Sequence, residues 1–215
     1  MQDREALDAT AEADPSFFHV AGRQRACRAF SDEPVPDELV ARVLRAATMA
    51  PSAENRQPWV FTVVRAETAR AEIGRLTRTA WEGGGRAHSE TRLPAGLLAD
   101  VDRGAMGGVS EAPVLVVVGA DTERCLPSTI GSSVFPAIQN MLLAATALGL
   151  GSALTTLATL LADDLRTVLS LPDAVVPVAV VPLGWPAVAL GPPRREPLAT
   201  KVYDERYGRP ARWAD

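Results

Sequence analysis

Residues 50–64 read "APSAENRQPWVFTVV", a polar knot between two prolines followed at once by an apolar run. Pro51 and Pro58 end one element and aim the next, because the proline ring fixes φ and leaves no backbone donor. That account does not reach Ser52, Asn55 and Gln57, three hydrogen-bonding side chains crowded between two apolar elements.

On the N-terminal side of the knot, Asp37 and Glu38 sit where a helix start favours negative charge. Leu39, Val40, Val43, Leu44 and Ala47 then recur at helical spacing until Pro51. On its other side, Trp59–Val64 is β-branched and aromatic, hence a strand. A helix is expected over Glu67–Trp81, with Ile73, Leu76 and Ala80 on one side and Arg70, Arg75 and Arg78 on the rest. Short helices are expected near Arg4–Glu12 and Ser16–Gln24.

The stretch "EGGGRAHSETRLPAG" that follows reads as a loop, and the span to Gly107–Gly108 is poorly patterned. Long irregular segments of this kind are often lids or binding loops, with Gly83, Gly84, Gly85, Gly107 and Gly108 as hinges; a plain surface excursion is the alternative. "APVLVVVGA" is a strand buried on both faces, Pro136–Leu148 a helix apolar nearly all round, Ala158–Leu169 a further helix and Val175–Leu183 a third strand. After Trp185 the tail has many prolines and little periodicity, so residues 186–215 are expected to run extended as an arm. Strands separated by helices argue for an α/β or α+β sandwich of helices around a sheet, one domain over 1–215 that includes an N-terminal extension over 1–15.

Composition narrows the function. The chain has 215 residues, 47% hydrophobic and 22% charged, with a net charge of −4, and no basic stripe offers a nucleic-acid footprint. No apolar stretch reaches the roughly 20 residues that a bilayer requires. The acidic N-terminus lacks signal-peptide order, and two cysteines imply no disulfide framework; a cytoplasmic protein is expected. His19 and His88 stand far apart, so no protein-bound metal is expected. The motifs G-x-S-x-G, G-x-x-x-x-G-K-[ST], H-E-x-x-H and G-x-G-x-x-G are all absent, which leaves the hard chemistry of any enzyme to a cofactor. Arg23, Arg25 and Arg28 near one end and Arg194 and Arg195 near the other could clamp a phosphate in fork geometry; arginines on solvated faces are the alternative.

The string "QRACRAFSDEPVPDELVARVLRAATMAPSAENRQPWVFTVVR" resembles the FMN-dependent nitroreductase family, which shares an R-x-x-R-x-[FY] start, a P-x-P-x-E-x-[IL] helix opening and a P-S-x-x-N-x-Q-P-W turn. The likeness continues through "GLGSALTTLATLLADDLRTVLSLPDAVVPVAVVPLGWPA" and "RREPL", and informs residues 82–112 least. It implies an α+β fold, an α/β sandwich with a central mixed sheet flanked by helices, and an intertwined homodimer with FMN at the interface, NADH or NADPH as electron donor and a small organic acceptor. Flavin N5, and no side chain, would carry the chemistry. By the same resemblance Arg25 and Arg28 contact the FMN phosphate and ribityl oxygens, and Arg195 the phosphate. Pro51 and Ser52 pack on the isoalloxazine of the partner chain, with Asn55, Gln57 and Trp59 tying that loop in place. Thr155, Thr156 and the backbone of Leu157 lie beside the N5 edge, and Arg75 or Arg78 are candidates for the pyrimidine end. Ala26 stands where relatives often carry Ser. A flavin- or ligand-binding protein without efficient turnover, and a biosynthetic flavin oxidase, are the alternative readings.

Overall fold

Strand β2 (Val114–Asp121) is apolar without alternation because both of its faces are covered. Side chains alternate across a strand, so Val114, Val116, Val118 and Ala120 enter one core, and Leu115 and Val117 enter another. The computed structural model describes residues 15–214 of the chain, and the helix expected at Arg4–Glu12 and most of the 1–15 extension lie outside them.

Four strands form the sheet in the order β1 (Trp59–Val64), β2, β4 (Val175–Gly184), β3 (Gly151–Ser152). All three pairings are antiparallel, and the register of β2 on β4 slips between Val118 and Gly119, where Pro177 enters the strand. Parallel pairing is confined, among the described residues, to the bridge between Ala26 and Ser152 at the sheet's edge. The mixed character of the sheet therefore comes from the segment carrying the first arginines, while its four strands are antiparallel.

Helices cover both faces. Helix α1 (Phe17–Arg23) is capped by Ser16, whose hydroxyl accepts the His19 N–H at 3.4 Å. Helix α2 (Asp37–Thr48) buries Val40, Val43 and Ala47 on the first core. On the opposite face, α3 (Glu67–Ala80) sets Ile73 and Leu76 against Leu115, Val117 and Val180.

Residues 81–111 correct the reading as a loop. A wide turn over Trp81–Gly85, kinked at Gly84 (φ 143°), leads into α4 (Arg86–Glu90) and α5 (Ala95–Arg103), and a π turn over Gly104–Gly108 leads into α6 (Val109–Glu111). Glycine weakens an isolated helix by about 1 kcal/mol per residue. Close packing on the rest of the chain offsets that cost here, as described below.

Helix α7 (Ile130–Ala147) packs beside α2 and buries Val134, Ile138 and Met141 in the first core. It begins six residues before Pro136, the expected start. The carbonyl of Ser132, which a donor at position 136 would have bonded, belongs to an exposed residue that water can reach, so the missing N–H is tolerated. A 3₁₀ turn over Ala158–Leu161 and α8 (Ala162–Leu169) divide the single helix expected there. No helix among the described residues is long and apolar enough to cross a membrane. Residues 186–214 carry little regular structure beyond a 3₁₀ turn at Leu198–Thr200.

Candidate functional site

The segment 25–31 is held along the sheet's edge by three backbone bonds: Cys27 N–H to Ser152 O (2.8 Å), Ser31 N–H to Trp185 O (2.9 Å) and Ala187 N–H to Ala29 O (3.0 Å). This clamp buries Cys27 and Phe30 and leaves Arg25 exposed and Arg28 half-buried. Cys27 Sγ donates to Ala29 O at 3.2 Å, and burial pushes its thiol above the ordinary range. A neutral, buried thiol is a packing residue, not a nucleophile.

Two clefts meet at Cys27 and Arg28. One, of about 250 Å³, runs between Thr155–Leu157 and the helical segment, with Trp81, Val101, Ala105 and Val109 among its walls. The other, of about 230 Å³, is lined by Arg25, Arg28, Asp100 and Arg103, and closed by Val188–Gly191 at the start of the arm. Among the described residues, neither the Arg25 nor the Arg28 guanidinium has a hydrogen-bond or ion-pair partner. Burial lowers the Arg28 pKa from its ordinary value; Asp100 opposes the shift and Arg25 adds to it. Such an arrangement attracts an anion.

The helical cover sits close because two glycines let it. A Cβ at Gly104 would come within 2.8 Å of Arg28 Cδ, and one at Gly108 within 2.2 Å of Arg28 O. Gly108 is thus a close-contact residue and not the hinge expected of it. Arg70, expected on the solvated side of α3, instead donates to Ser110 O (2.7 Å) and Ala112 O (2.8 Å), which pins the end of the cover. Asp102 Oδ1 accepts from Trp81 Nε1 at 2.9 Å and so orients the indole that walls the first cleft.

The predicted residues divide into two groups. Arg25, Arg28, Thr155, Thr156 and Leu157 come together around the clefts. Thr155 is fixed to β4 by reciprocal backbone bonds with Val180 (3.0 and 2.9 Å), and the Leu157 N–H turns back to Thr155 Oγ1 at 3.3 Å. The exposed Thr156 keeps a backbone N–H with no acceptor among the described residues. Pro51, Ser52 and Arg195 line neither cleft. Arg195 lies exposed on the arm and donates to Arg194 O at 2.9 Å. Arg75 pairs with Glu72 at 2.6 Å, and neither Arg75 nor Arg78 lines a cleft. Sequence reasoning read Trp81 only as the end of a helix and missed Asp100 and Arg103, whose one signal was their i,i+3 spacing in a stretch without clear apolar period.

The opening knot is strained. Glu54, Asn55 and Gln57 all adopt left-handed φ, between 51° and 54°, a cluster uncommon for residues with side chains. Ser52 Oγ accepts the Gln57 N–H at 2.9 Å, the Ser52 carbonyl accepts from Asn55 N–H at 3.0 Å, and Ser133 Oγ on α7 accepts the Ala53 N–H at 3.1 Å. Gln57 Nε2 adds a long bond to Asn55 O, 3.4 Å. Ser52 is therefore the internal fastener of the loop, and α7 its anchor.

Known proteins resemble the chain in sequence and in fold. The chain is 34% identical over 167 residues to a candidate NADH dehydrogenase/NAD(P)H nitroreductase of Methanothermobacter thermautotrophicus, covering 76% of this chain and 74% of that one. It is 32% identical over 173 residues to a 5,6-dimethylbenzimidazole synthase of Rhodospirillum rubrum, covering 76% and 78%. Its fold matches the crystal structure of a candidate nitroreductase in complex with FMN from Desulfovibrio desulfuricans, with a TM-score of 0.72, 28% identity and coverage of 91% and 99%. The Nitroreductase family profile matches residues 21–185, so the chain belongs to the nitroreductase family.

Proposed function

We propose that the chain is an FMN-dependent oxidoreductase, active as a homodimer, that takes electrons from NADH or NADPH and delivers them to a small organic acceptor. The observation that carries this reading is the junction of the two clefts at Arg28, basic on one side and largely apolar on the other. FMN has the same order of polarity, a phosphate at the end of a ribityl chain and a flat tricycle beyond it. The FMN held by the Desulfovibrio relative supports the choice of cofactor, and the name of the Methanothermobacter relative supports the donor.

When bound, FMN supplies the electron transfer. The chain's residues bind and orient. Arg25 and Arg28, without partners among the described residues, would hold phosphate and ribityl oxygens through charge-assisted bonds. Thr156 offers a backbone N–H to the flavin edge, on a segment that Thr155 locks to β4. Trp81, Val101 and Leu157 exclude water from the ring's side of the site. Arg195 follows Gly191, which lines the basic cleft, by four residues, a span of at most about 14 Å, so a turn of the arm would bring it to a phosphate held there.

The homodimer rests on two features. Pro51 and Ser52 line neither cleft of their own chain, so their assignment as a flavin wall needs a second copy. Phe18, Phe17, Met49 and Phe135 are 84, 65, 57 and 42% exposed, apolar surface suited to a partner's cover. The strained loop fits the same role, since a fixed wall must not relax when the ring arrives.

The protein should purify yellow and dimeric, releasing FMN and not FAD on denaturation. A colourless monomer that gains no flavin absorbance on reconstitution would sink the reading. Anaerobic titration with NADH and with NADPH, followed by admission of air or an acceptor, separates reductase from passive binder. The likeness to the Rhodospirillum synthase supports a second reading, a biosynthetic flavin enzyme, for which rapid oxygen uptake without added acceptor is the mark.

A further inference from the structure

Three arginines line the basic cleft, and the motifs account for two. Arg25 and Arg28 come from the edge segment; Arg103 comes from the last turn of α5, in the part of the chain that the family likeness informs least. Gly104, the next residue, presses against Arg28 Cδ, which sets the end of α5 beside the other two cations. Among the described residues, Asp100, one turn earlier, is the one acidic residue in the lining. Three guanidinium groups against one carboxylate leave the cleft two positive charges in excess.

The carboxylate serves its neighbours poorly. Arg103 Nη1 stands 3.4 Å from Asp100 Oδ1, well beyond the roughly 2.7–2.9 Å of a good charge-assisted bond, and the two side chains are 61 and 39% exposed. Solvent weakens such a pair further. Arg25 and Arg28 have no bonded partner among the described residues. A doubly charged ligand would satisfy the set, and a guanidinium on a long stem can exchange acceptors by rotamer change alone.

We infer that Arg103 is a further phosphate-binding residue, beside Arg25, Arg28 and the arm's Arg195, and that Asp100 is the internal counter-ion from which a bound phosphate monoester draws it. The inference rests on the flavin reading above and extends it to a residue outside the family motifs. The monoester is the phosphate of FMN or the ribose 2′-phosphate of NADPH, which share the chemistry. In either case binding ties α5, and with it the helical cover, to the cofactor cleft.

Flavin-fluorescence titrations of the wild type, Arg103→Ala, Arg103→Lys and Asp100→Asn, each with FMN and with riboflavin, test the assignment. Arg103→Ala should weaken FMN about tenfold and leave riboflavin unchanged, with partial rescue in Arg103→Lys. Its FMN affinity should also depend less steeply on salt. Asp100→Asn should tighten FMN severalfold by removing the competing acceptor; weaker binding would remove Asp100 from the scheme. If Arg103→Ala leaves FMN unchanged but weakens NADPH and not NADH binding to the holoprotein, the phosphate belongs to the donor. Equal losses for FMN and riboflavin would make Arg103 a structural residue, and no loss for any ligand would likewise overturn the inference. A wild type that binds neither FMN nor NADPH overturns the flavin reading and this inference together; a wild type that binds while Arg103→Ala is indifferent overturns the inference alone.

Discussion

The two walls of the apolar cleft are built in opposite ways. On the sheet side, Thr155–Leu157 is fastened to β4, and behind it Leu115, Val117 and Val180 are shielded from water within a continuous core. On the helical side, α4 and α5 contain no fully buried residue. That cover is held at points: the close seats of Gly104 and Gly108 on Arg28, the Trp81–Asp102 bond, and Arg70 on the carbonyls at 110 and 112. A wall held by dispersion over many atoms opens only with the whole domain, whereas a pinned wall can open locally. The difference puts rigidity on the sheet side of the cleft and adjustability on the helical side.

The contrast can be broken by experiment. Leu115→Ala removes a fully buried side chain from the sheet side and should cost about 2–5 kcal/mol, read from denaturant midpoints. Both walls should then unfold in one transition. Gly108→Ala forces a methyl group against Arg28 O and should cost about 1–3 kcal/mol, with faster amide exchange confined to residues 81–111. Gly96→Ala on α5 meets nothing within 4 Å and serves as its control, with a gain of about 0.5–1 kcal/mol. If the two glycine variants behave alike, the cover is not seated as described.

Arg70→Ala leaves two carbonyls without their charged donor and should cost about 2 kcal/mol. Its exchange signature should match that of Gly108→Ala, and spread of the effect into β2 would erase the distinction between the walls. The smallest loss belongs to the knot. Ser52→Ala deprives the Gln57 N–H of its acceptor and should cost about 1 kcal/mol while leaving exchange in residues 81–111 untouched.

Local pattern determined the frame. The alternation-free run at 114–121, the apolar period of 37–48 and 67–80 and the β-branched run at 59–64 became elements within three residues of the expected bounds. Their burial is encoded residue by residue, so their pattern survives without knowledge of the partner element. The family motifs singled out Arg25, Arg28 and Thr155–Leu157, and the fold brings these residues to the two adjoining clefts. Tertiary structure alone decided the rest. The helical turn at Gly104–Gly108 seats Gly104 and Gly108 against Arg28, a contact that no local rule contains. Arg70 faces two carbonyls forty residues away, and Arg103 joins a cleft whose other cations lie seventy-five or more residues earlier. Propensity describes a residue in its own segment; close approach, charge clusters and strain belong to pairs of segments, and only the fold brings those together.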